Sequence, residues 1–256
     1  SDDGKTDGDS PRGNLQFFID LAQQMTAMLE QNTAYGKLYP VDARLRPEGG
    51  SSLLALSYDA YDQYLQGRAS TWERLALSRA QVVAGDRGFG RRLLDRFAQF
   101  VWGSGLSETE LNSLLSIRKR MQGKGGTGGA LSIKTGAGGI VDIEFIAQIL
   151  QIQHRNTVLK VRSGNTLMCL ERLQKAGVIS DKEFRHLVDG FVFLRTVEKV
   201  MRRQDEQART RLPSDERALI ALARAMGFDT SGAFMERLGQ DMTRNREIFV
   251  RLVGEP

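Results

Sequence analysis

Apolar residues recur at helical spacing over most of this chain, and this periodicity limits the possible folds more than any other feature of the sequence. Between Asn14 and Glu30 the apolar side chains follow the i, i+3, i+4 pattern of a helix. Ser-x-x-Glu sequences at Ser70, Ser107 and Ser180 have the spacing of a capping box, which marks a helix start. We predict helices over residues 14–30, 58–66, 70–79, 87–102, 107–122, 140–154, 165–176, 180–206, 214–226 and 231–253.

Two short segments near the start have the character of β-strands. They are residues 36–45 and 52–56, and the sequence Pro47-Glu48-Gly49-Gly50 between them favours a turn. The predicted fold class is therefore mainly α with a small β-sheet (α+β).

Glycine-rich and polar stretches indicate how the chain is divided. Residues 1–13 predict a loop or a disordered segment, and the glycine-rich residues 123–129 predict a flexible loop. The sequence Gly103-Ser104-Gly105 predicts a boundary that separates one domain, residues 14–104, from a helical bundle domain, residues 105–256.

Composition excludes some classes of protein. The net charge of +5 is dispersed along the chain and is only weak evidence for a nucleic-acid partner, because an anionic ligand such as a nucleotide fits this charge equally well. We therefore expect no nucleic-acid partner. Cys169 is the only cysteine, so no intrachain disulfide can form, which agrees with a reducing compartment such as the cytoplasm. No apolar run is long enough to span a bilayer, so we expect no membrane association.

Residues 41–47 (Val-Asp-Ala-Arg-Leu-Arg-Pro) carry the clearest chemical pattern. On a strand, Asp42, Arg44 and Arg46 would share one face, because side chains alternate along the strand. A carboxylate can bind a divalent metal and arginine is well suited to phosphate, so this face fits a nucleotide-handling site. The alternative is a surface strand that carries an ion pair.

A second pattern lies at residues 134–139 (Lys-Thr-Gly-Ala-Gly-Gly), just before a predicted helix. Backbone N–H groups and a lysine at a helix start can bind phosphate, although the spacing is not that of a Walker A loop. The alternative is a tight turn without a ligand.

Asp142 and Glu144 follow this loop. On a strand they could bind one metal ion, whereas on a helix they point about 200° apart and cannot do so. The flanking residues favour a helix, whose first turn accepts acidic side chains because of the helix dipole. A site role for one of the two residues stays open, and the sequence does not indicate which one.

Taken together, these segments resemble the glutamine synthetase adenylyltransferase (glutamate–ammonia-ligase adenylyltransferase) family. The similarity extends from about Phe17 to the C-terminus, and several motifs in the same order are far more specific than one. The matching residues are 41–47, 72–74, 76–77, 79–80, 134, 136, 138–145, 148, 205–207 and 212–215.

The resemblance implies part of a polymerase beta-type nucleotidyltransferase domain followed by the helical bundle. It implies a bifunctional cytoplasmic enzyme that transfers AMP from ATP to a tyrosine of glutamine synthetase and removes it by phosphorolysis, regulating nitrogen assimilation. Mg²⁺ would be the cofactor, ATP the substrate, and glutamine synthetase and a PII-type signal protein the partners.

The resemblance also assigns roles to individual residues. Asp42 would be a catalytic residue and the third metal-binding carboxylate, while Arg44 and Arg46 would bind phosphate or order the site. The nucleotide-binding cleft would be lined by Lys134, Gly138 and Gly139. Residues of the cleft whose role stays open are Trp72, Glu73, Asp142 and Glu144.

One part of the family pattern is missing. The family takes its other two carboxylates from a Gly-Ser-x-x-Asp-x-Asp strand, which this sequence lacks. We therefore expect a fragment of such an enzyme, an incomplete site around Asp42, and no AMP transfer by this chain alone. The alternative is a non-catalytic helical regulatory module that binds glutamine synthetase or a PII-type signal protein. The motifs do not distinguish an adenylylating from a deadenylylating half.

Overall fold

The computed structural model describes residues 4–34, 36, 40–124, 131–156, 162–204 and 210–256, without the side chains of Ser51, Gly123, Lys124 and Gln204. Within these ranges the chain is mainly helical. The helices are α1 (Asn14–Glu30), α2 (Tyr58–Gly67), α3 (Thr71–Leu77), α4 (Arg87–Trp102), α5 (Glu108–Lys124), α6 (Ile140–Gln153), α7 (Thr166–Lys175), α8 (Asp181–Gln204), α9 (Glu216–Ala225) and α10 (Ser231–Leu252).

The helix predictions are confirmed, and the capping boxes explain why the starts could be found. At Ser107 the side-chain oxygen accepts a hydrogen bond from the N–H of Glu110, whose carboxylate accepts one from the N–H of Ser107. The same reciprocal pair joins Ser180 and Glu183. These bonds satisfy N–H groups that the helix itself leaves without partners.

The strand predictions are wrong in the described residues. Residues 40–45 and 52–56 form irregular loop with some turns and bends, and the described parts of the chain contain only isolated β-bridges. Carbonyl oxygens that a strand would direct to a neighbouring strand instead accept hydrogen bonds from the Arg46 side chain within the same loop. The middle of the first predicted strand, residues 37–39, lies outside the described residues, as do residues 125–129 and 205–207 of the other sequence patterns.

The chain forms two compact units. One contains residues 1–76 and 81–100, and the other contains residues 77–80 and 101–256. The predicted nucleotidyltransferase and bundle domains stay predictions, because the extent of the two units does not show which fold each unit has.

In the first unit, α2 packs against α4 through aromatic rings and an ion pair. Tyr61 and Phe97 have ring centroids 5.2 Å apart, and Asp62 pairs with Arg96. Helix α1 contributes no buried residue, and several of its apolar side chains are exposed, Met28 to 72%. The core of this unit is therefore small.

The second unit is built around α6. This helix contacts α7, α8 and α10, and its side chains are buried on nearly every side. A helix that is apolar all round belongs inside a domain, which explains the long run of isoleucines between Ile140 and Ile152. None of the described helices combines the length and the apolar character that crossing a membrane requires.

The capping box at the start of α5 supports a first prediction. Ser107→Ala removes the side-chain acceptor for the N–H of Glu110, so we expect the free energy of unfolding to fall by about 1 kcal/mol. Ser116→Ala on the same helix is the control, since its hydroxyl only bonds the carbonyl of Asn112 within the helix. Urea unfolding measures both, and equal losses would contradict the capping role.

Candidate functional site

Asp42 lies in an exposed turn and is paired with Arg44. One carboxylate oxygen accepts bonds from the N–H and the Nε of Arg44, at 3.1 and 2.8 Å, and the other accepts from Nη2 at 2.6 Å. These hydrogen bonds, first those from the side chain and then that from the backbone, lower the pKa of Asp42 to about 2. The carboxylate is therefore charged at neutral pH.

Arg46 does not share a face with Asp42 and Arg44, so the prediction of one common strand face is wrong. Its guanidinium points into the loop and donates to the carbonyl oxygens of Ala43 at 2.5 Å, Ser52 at 3.1 Å and Gly50 at 3.2 Å. A side chain whose N–H groups are engaged in this way holds the loop together. Of the two arginines, Arg44 is the exposed one.

The residues around Asp42 do not by themselves fit a Mg²⁺ ion. Arg44 engages both carboxylate oxygens, and no second carboxylate contacts the ion pair in the described residues. The described parts of the chain also contain no group of three or more His, Cys, Asp or Glu side chains placed to bind one metal. A metal site here needs ligands other than those that this turn provides.

Glu73, which the family resemblance placed in the cleft with an open role, is buried at the start of α3. One carboxylate oxygen accepts bonds from the N–H of Ser70 at 2.9 Å and from the hydroxyl of Tyr64 at 2.7 Å. Burial raises the pKa of Tyr61 to about 12, and the negative charge of Glu73 adds to this effect. Trp72 is half-buried on the same helix.

The glycine-rich loop before α6 uses its N–H groups within the chain. The N–H of Gly138 donates to Asp142 at 2.6 Å, and that of Gly139 donates to the carbonyl of Gly136 at 3.0 Å. The next two amides, of Ile140 and Val141, donate to the carbonyls of residues 133 and 134, at 3.0 Å each. Phosphate could bind these amides only by displacing intrachain bonds, and the Lys134 side chain, half-exposed, is the remaining phosphate-binding candidate of this loop.

Close packing explains the glycines of this loop. Gly138 has a φ of +71°, and a Cβ atom there would collide with the backbone of Met242 on α10. The carbonyl of Gly138 accepts a bond from the buried side chain of Asn245 at 3.1 Å. A Cβ atom at Gly139 would lie 2.7 Å from the carbonyl of Ile133. These positions bring the backbones of two segments together.

Asp142 is fully buried in the first turn of α6. One oxygen accepts from Nε of Arg118 at 2.5 Å, and the other accepts from Gly138 N and, at 3.3 Å, from Arg246. Arg118 is also fully buried, and its remaining nitrogens donate to the carbonyls of Thr135 and Gly136. The carboxylate is therefore a structural anchor and faces no opening.

Glu144 points elsewhere, as the helical spacing requires. Its side chain is 15% exposed and pairs with Arg195 at 2.7 Å and with Arg79 at 3.3 Å. Arg195 pairs in turn with Glu198, which also binds Arg202. Two arginines of α8, Arg195 and Arg202, thus form part of an ion-pair network.

Two family models match the chain, one over each part. A model described as "Glutamate-ammonia ligase adenylyltransferase" matches residues 1–96, and one described as "GlnD PII-uridylyltransferase" matches residues 116–253. Curated proteins named bifunctional glutamine synthetase adenylyltransferase/adenylyl-removing enzyme align with both parts in one stretch.

The relative from Thioalkalivibrio sulfidiphilus is 31% identical over 259 residues, which cover 99% of this chain and 26% of the relative. That from Pseudomonas aeruginosa is 34% identical over 244 residues, which cover 95% of this chain and 25% of the relative. The chain belongs to the glutamine synthetase adenylyltransferase family. Its residues 116–253 belong at the same time to the PII-uridylyltransferase family. The chain spans about a quarter of the length of these curated relatives.

Sequence reasoning missed several residues that organise this adenylyltransferase-family chain. Arg118 and Asn245 hold the loop before α6, Arg246 bonds Asp142 in α6, and Tyr64 bonds Glu73. An arginine among apolar positions of a predicted helix could have indicated Arg118, since a buried guanidinium needs a carboxylate. Tyr64 and Asn245 carry no comparable signal, because an uncharged polar side chain does not require a charged partner.

The burial of Asp142 supports a second prediction. Asp142→Asn leaves the guanidinium of Arg118 buried without a charged partner, so we expect the free energy of unfolding to fall by about 3–5 kcal/mol. Glu144→Gln is the matched control on the same helix, and its partly exposed ion pairs contribute about 1 kcal/mol or less. Chemical denaturation measures both variants, and similar losses for the two would contradict the anchoring role of Asp142.

The Asp42–Arg44 pair supports a third prediction. Arg44→Ala removes the side-chain hydrogen bonds, the largest cause of the lowered pKa of Asp42, but keeps the backbone N–H of residue 44, so we expect that pKa to rise from about 2 part of the way toward its ordinary value of 3.8. Because the folded-state pKa is lowered, the pairing is complete above pH 3.8 and is lost as the pH falls through about 2. A ¹³C NMR titration of the carboxyl group measures this, with the exposed Arg91→Ala as control. A pKa that stays near 2 in Arg44→Ala would contradict the assignment.

Proposed function

We propose that the chain forms part of a bifunctional enzyme that transfers AMP from ATP to a tyrosine of glutamine synthetase and removes it by phosphorolysis. The observation that carries this proposal is the alignment of nearly the whole chain with enzymes of that name. In this proposal glutamine synthetase is the protein substrate, ATP is the nucleotide substrate and the reaction takes place in the cytoplasm.

Asp42 and Arg44 are the residues of this chain that we place at the reaction centre. Both side chains are exposed, and they lie in the motif that carried the family resemblance. A guanidinium can exchange a carboxylate for a phosphate, because both ligands present two oxygens to its fork. Arg44 would thus leave Asp42 and bind a phosphate of ATP, which frees the Asp42 carboxylate for the reaction.

The alternative is a non-catalytic helical module that binds glutamine synthetase or a PII-type signal protein. Two observations favour it. The match with PII-uridylyltransferases covers residues 116–253, whose described parts are mainly helical, and the Asp42 carboxylate is fully engaged by Arg44. In that case the motif around Asp42 would serve only to shape the loop.

The fourth prediction separates the two functions. In a longer chain that carries the Gly-Ser-x-x-Asp-x-Asp strand ahead of this segment, we expect Asp42→Ala to lower AMP transfer by at least about a hundredfold, since the loss of a residue that merely supports a metal ligand already costs 10–100-fold. Asp59→Asn, an exposed acid on α2, should leave the rate unchanged. We also expect the 256-residue chain alone to transfer no AMP from ATP in the presence of Mg²⁺.

Incorporation of labelled AMP into glutamine synthetase measures the rate, and circular dichroism confirms the fold of each variant. Near-normal transfer by a folded Asp42→Ala enzyme would favour the regulatory module. Mg²⁺-dependent transfer by the 256-residue chain would contradict the expectation that its carboxylates are insufficient.

A further inference from the structure

The backbone is anchored by a side chain on each side of Asp42. The N–H of the preceding residue, Val41, donates a hydrogen bond of 2.9 Å to Oε1 of Glu30, which is the last residue of α1. The carbonyl of the following residue, Ala43, accepts from Arg46 at 2.5 Å. The backbone is therefore held by a charged side chain one peptide group before and one peptide group after the two that flank Asp42.

The far end of the same loop is anchored to the helices of the first unit. Glu48 has a left-handed backbone with a φ of +59°, and its N–H donates to the hydroxyl of Tyr64 at 3.3 Å. That hydroxyl donates to the buried carboxylate of Glu73. Tyr64 and Glu73 are each only 5% exposed, so this anchor belongs to the small core of the unit.

We propose that Glu30, Arg46 and Tyr64 are positioning residues that fix Asp42 for the reaction. The proposal rests on the proposed function, in which Asp42 acts at the reaction centre. Asp42 projects from an exposed turn that lacks the support of a strand, and such segments open easily. A catalytic group must be held to within about 0.5 Å, so the turn needs the support that these three side chains give.

The contacts of Arg46 distinguish this role from phosphate binding. Its guanidinium donates to the carbonyls of Ala43, Gly50 and Ser52, which all lie in its own loop. Arg46 therefore shapes the loop that carries Asp42 and has few donors left for a ligand, whereas Arg44 is exposed and able to exchange partners.

Kinetics of the longer, active enzyme provide the first test, which is the fifth prediction. Arg46→Lys keeps the charge but not the planar fork, so we expect kcat to fall about 10–100-fold with KM for ATP changed less than about threefold. Glu30→Ala should behave alike, while Glu30→Gln, which retains Oε1 as an acceptor, should restore most of kcat. Arg91→Lys, at an exposed position of α4, is the control. A large rise in KM with unchanged kcat, or unchanged kinetics, in Arg46→Lys would overturn the proposal.

Amide hydrogen exchange in the 256-residue chain provides a test that does not depend on AMP transfer. We expect exchange at the Val41 amide to accelerate about fivefold to tenfold in Glu30→Ala, and at the Glu48 amide in Tyr64→Phe. Protection elsewhere, such as in α6, should not change. Unaltered exchange at both amides would overturn the positioning role even in an active enzyme. If Asp42→Ala retains transfer while these amides accelerate, the proposed function fails and the anchoring stands.

Discussion

The buried contact between Asp142 and Arg118 is the interaction on which the second unit depends. Both side chains are inaccessible to solvent, and removing two such charges from water costs several kcal/mol per ion. The cost is offset because every strong donor and acceptor finds a partner. Arg118 also bonds the carbonyls of Thr135 and Gly136, and Asp142 also accepts from the amide of Gly138. One carboxyl group thus joins α5, the glycine-rich loop and the start of α6.

The glycines of the loop before α6 have a structural role that differs from the phosphate binding that their pattern suggests. A loop with several glycines before a helix is typical of phosphate binding. Here the positive φ of Gly138 and the close approach of Met242 make glycine necessary for packing against α10. A Cβ atom at Gly190 on α8 would also crowd the side chain of Asn245, which holds the carbonyl of Gly138. The loop therefore packs closely against α10, and its amides serve the fold.

The sequence analysis assigns four carboxylates to one candidate site, whereas in the structure these carboxylates have different roles. Asp142 and Glu73 are buried and hold structure, and Glu144 is part of an ion-pair network. Asp42, in contrast to these three, has an exposed carboxylate, and Arg44 lowers the pKa of Asp42 to about 2. Its loop depends on side-chain to backbone bonds, so the geometry at Asp42 is sensitive to single substitutions that leave the helical core intact.

The sequence by itself determined the helices, their caps and the family, because these depend on periodicity, on local hydrogen bonds and on motif order. The Ser-x-x-Glu starts at Ser107 and Ser180 are satisfied within one turn of chain. Only the tertiary structure decided what Asp142 and Arg46 do, because their partners are set by packing and by loop closure. The alternation in residues 41–47 resembles that of a strand. In the structure, however, the carbonyls of Ala43 and Ser52 accept hydrogen bonds from the side chain of Arg46 in the same loop, and the order of side chains along the sequence does not predict these bonds.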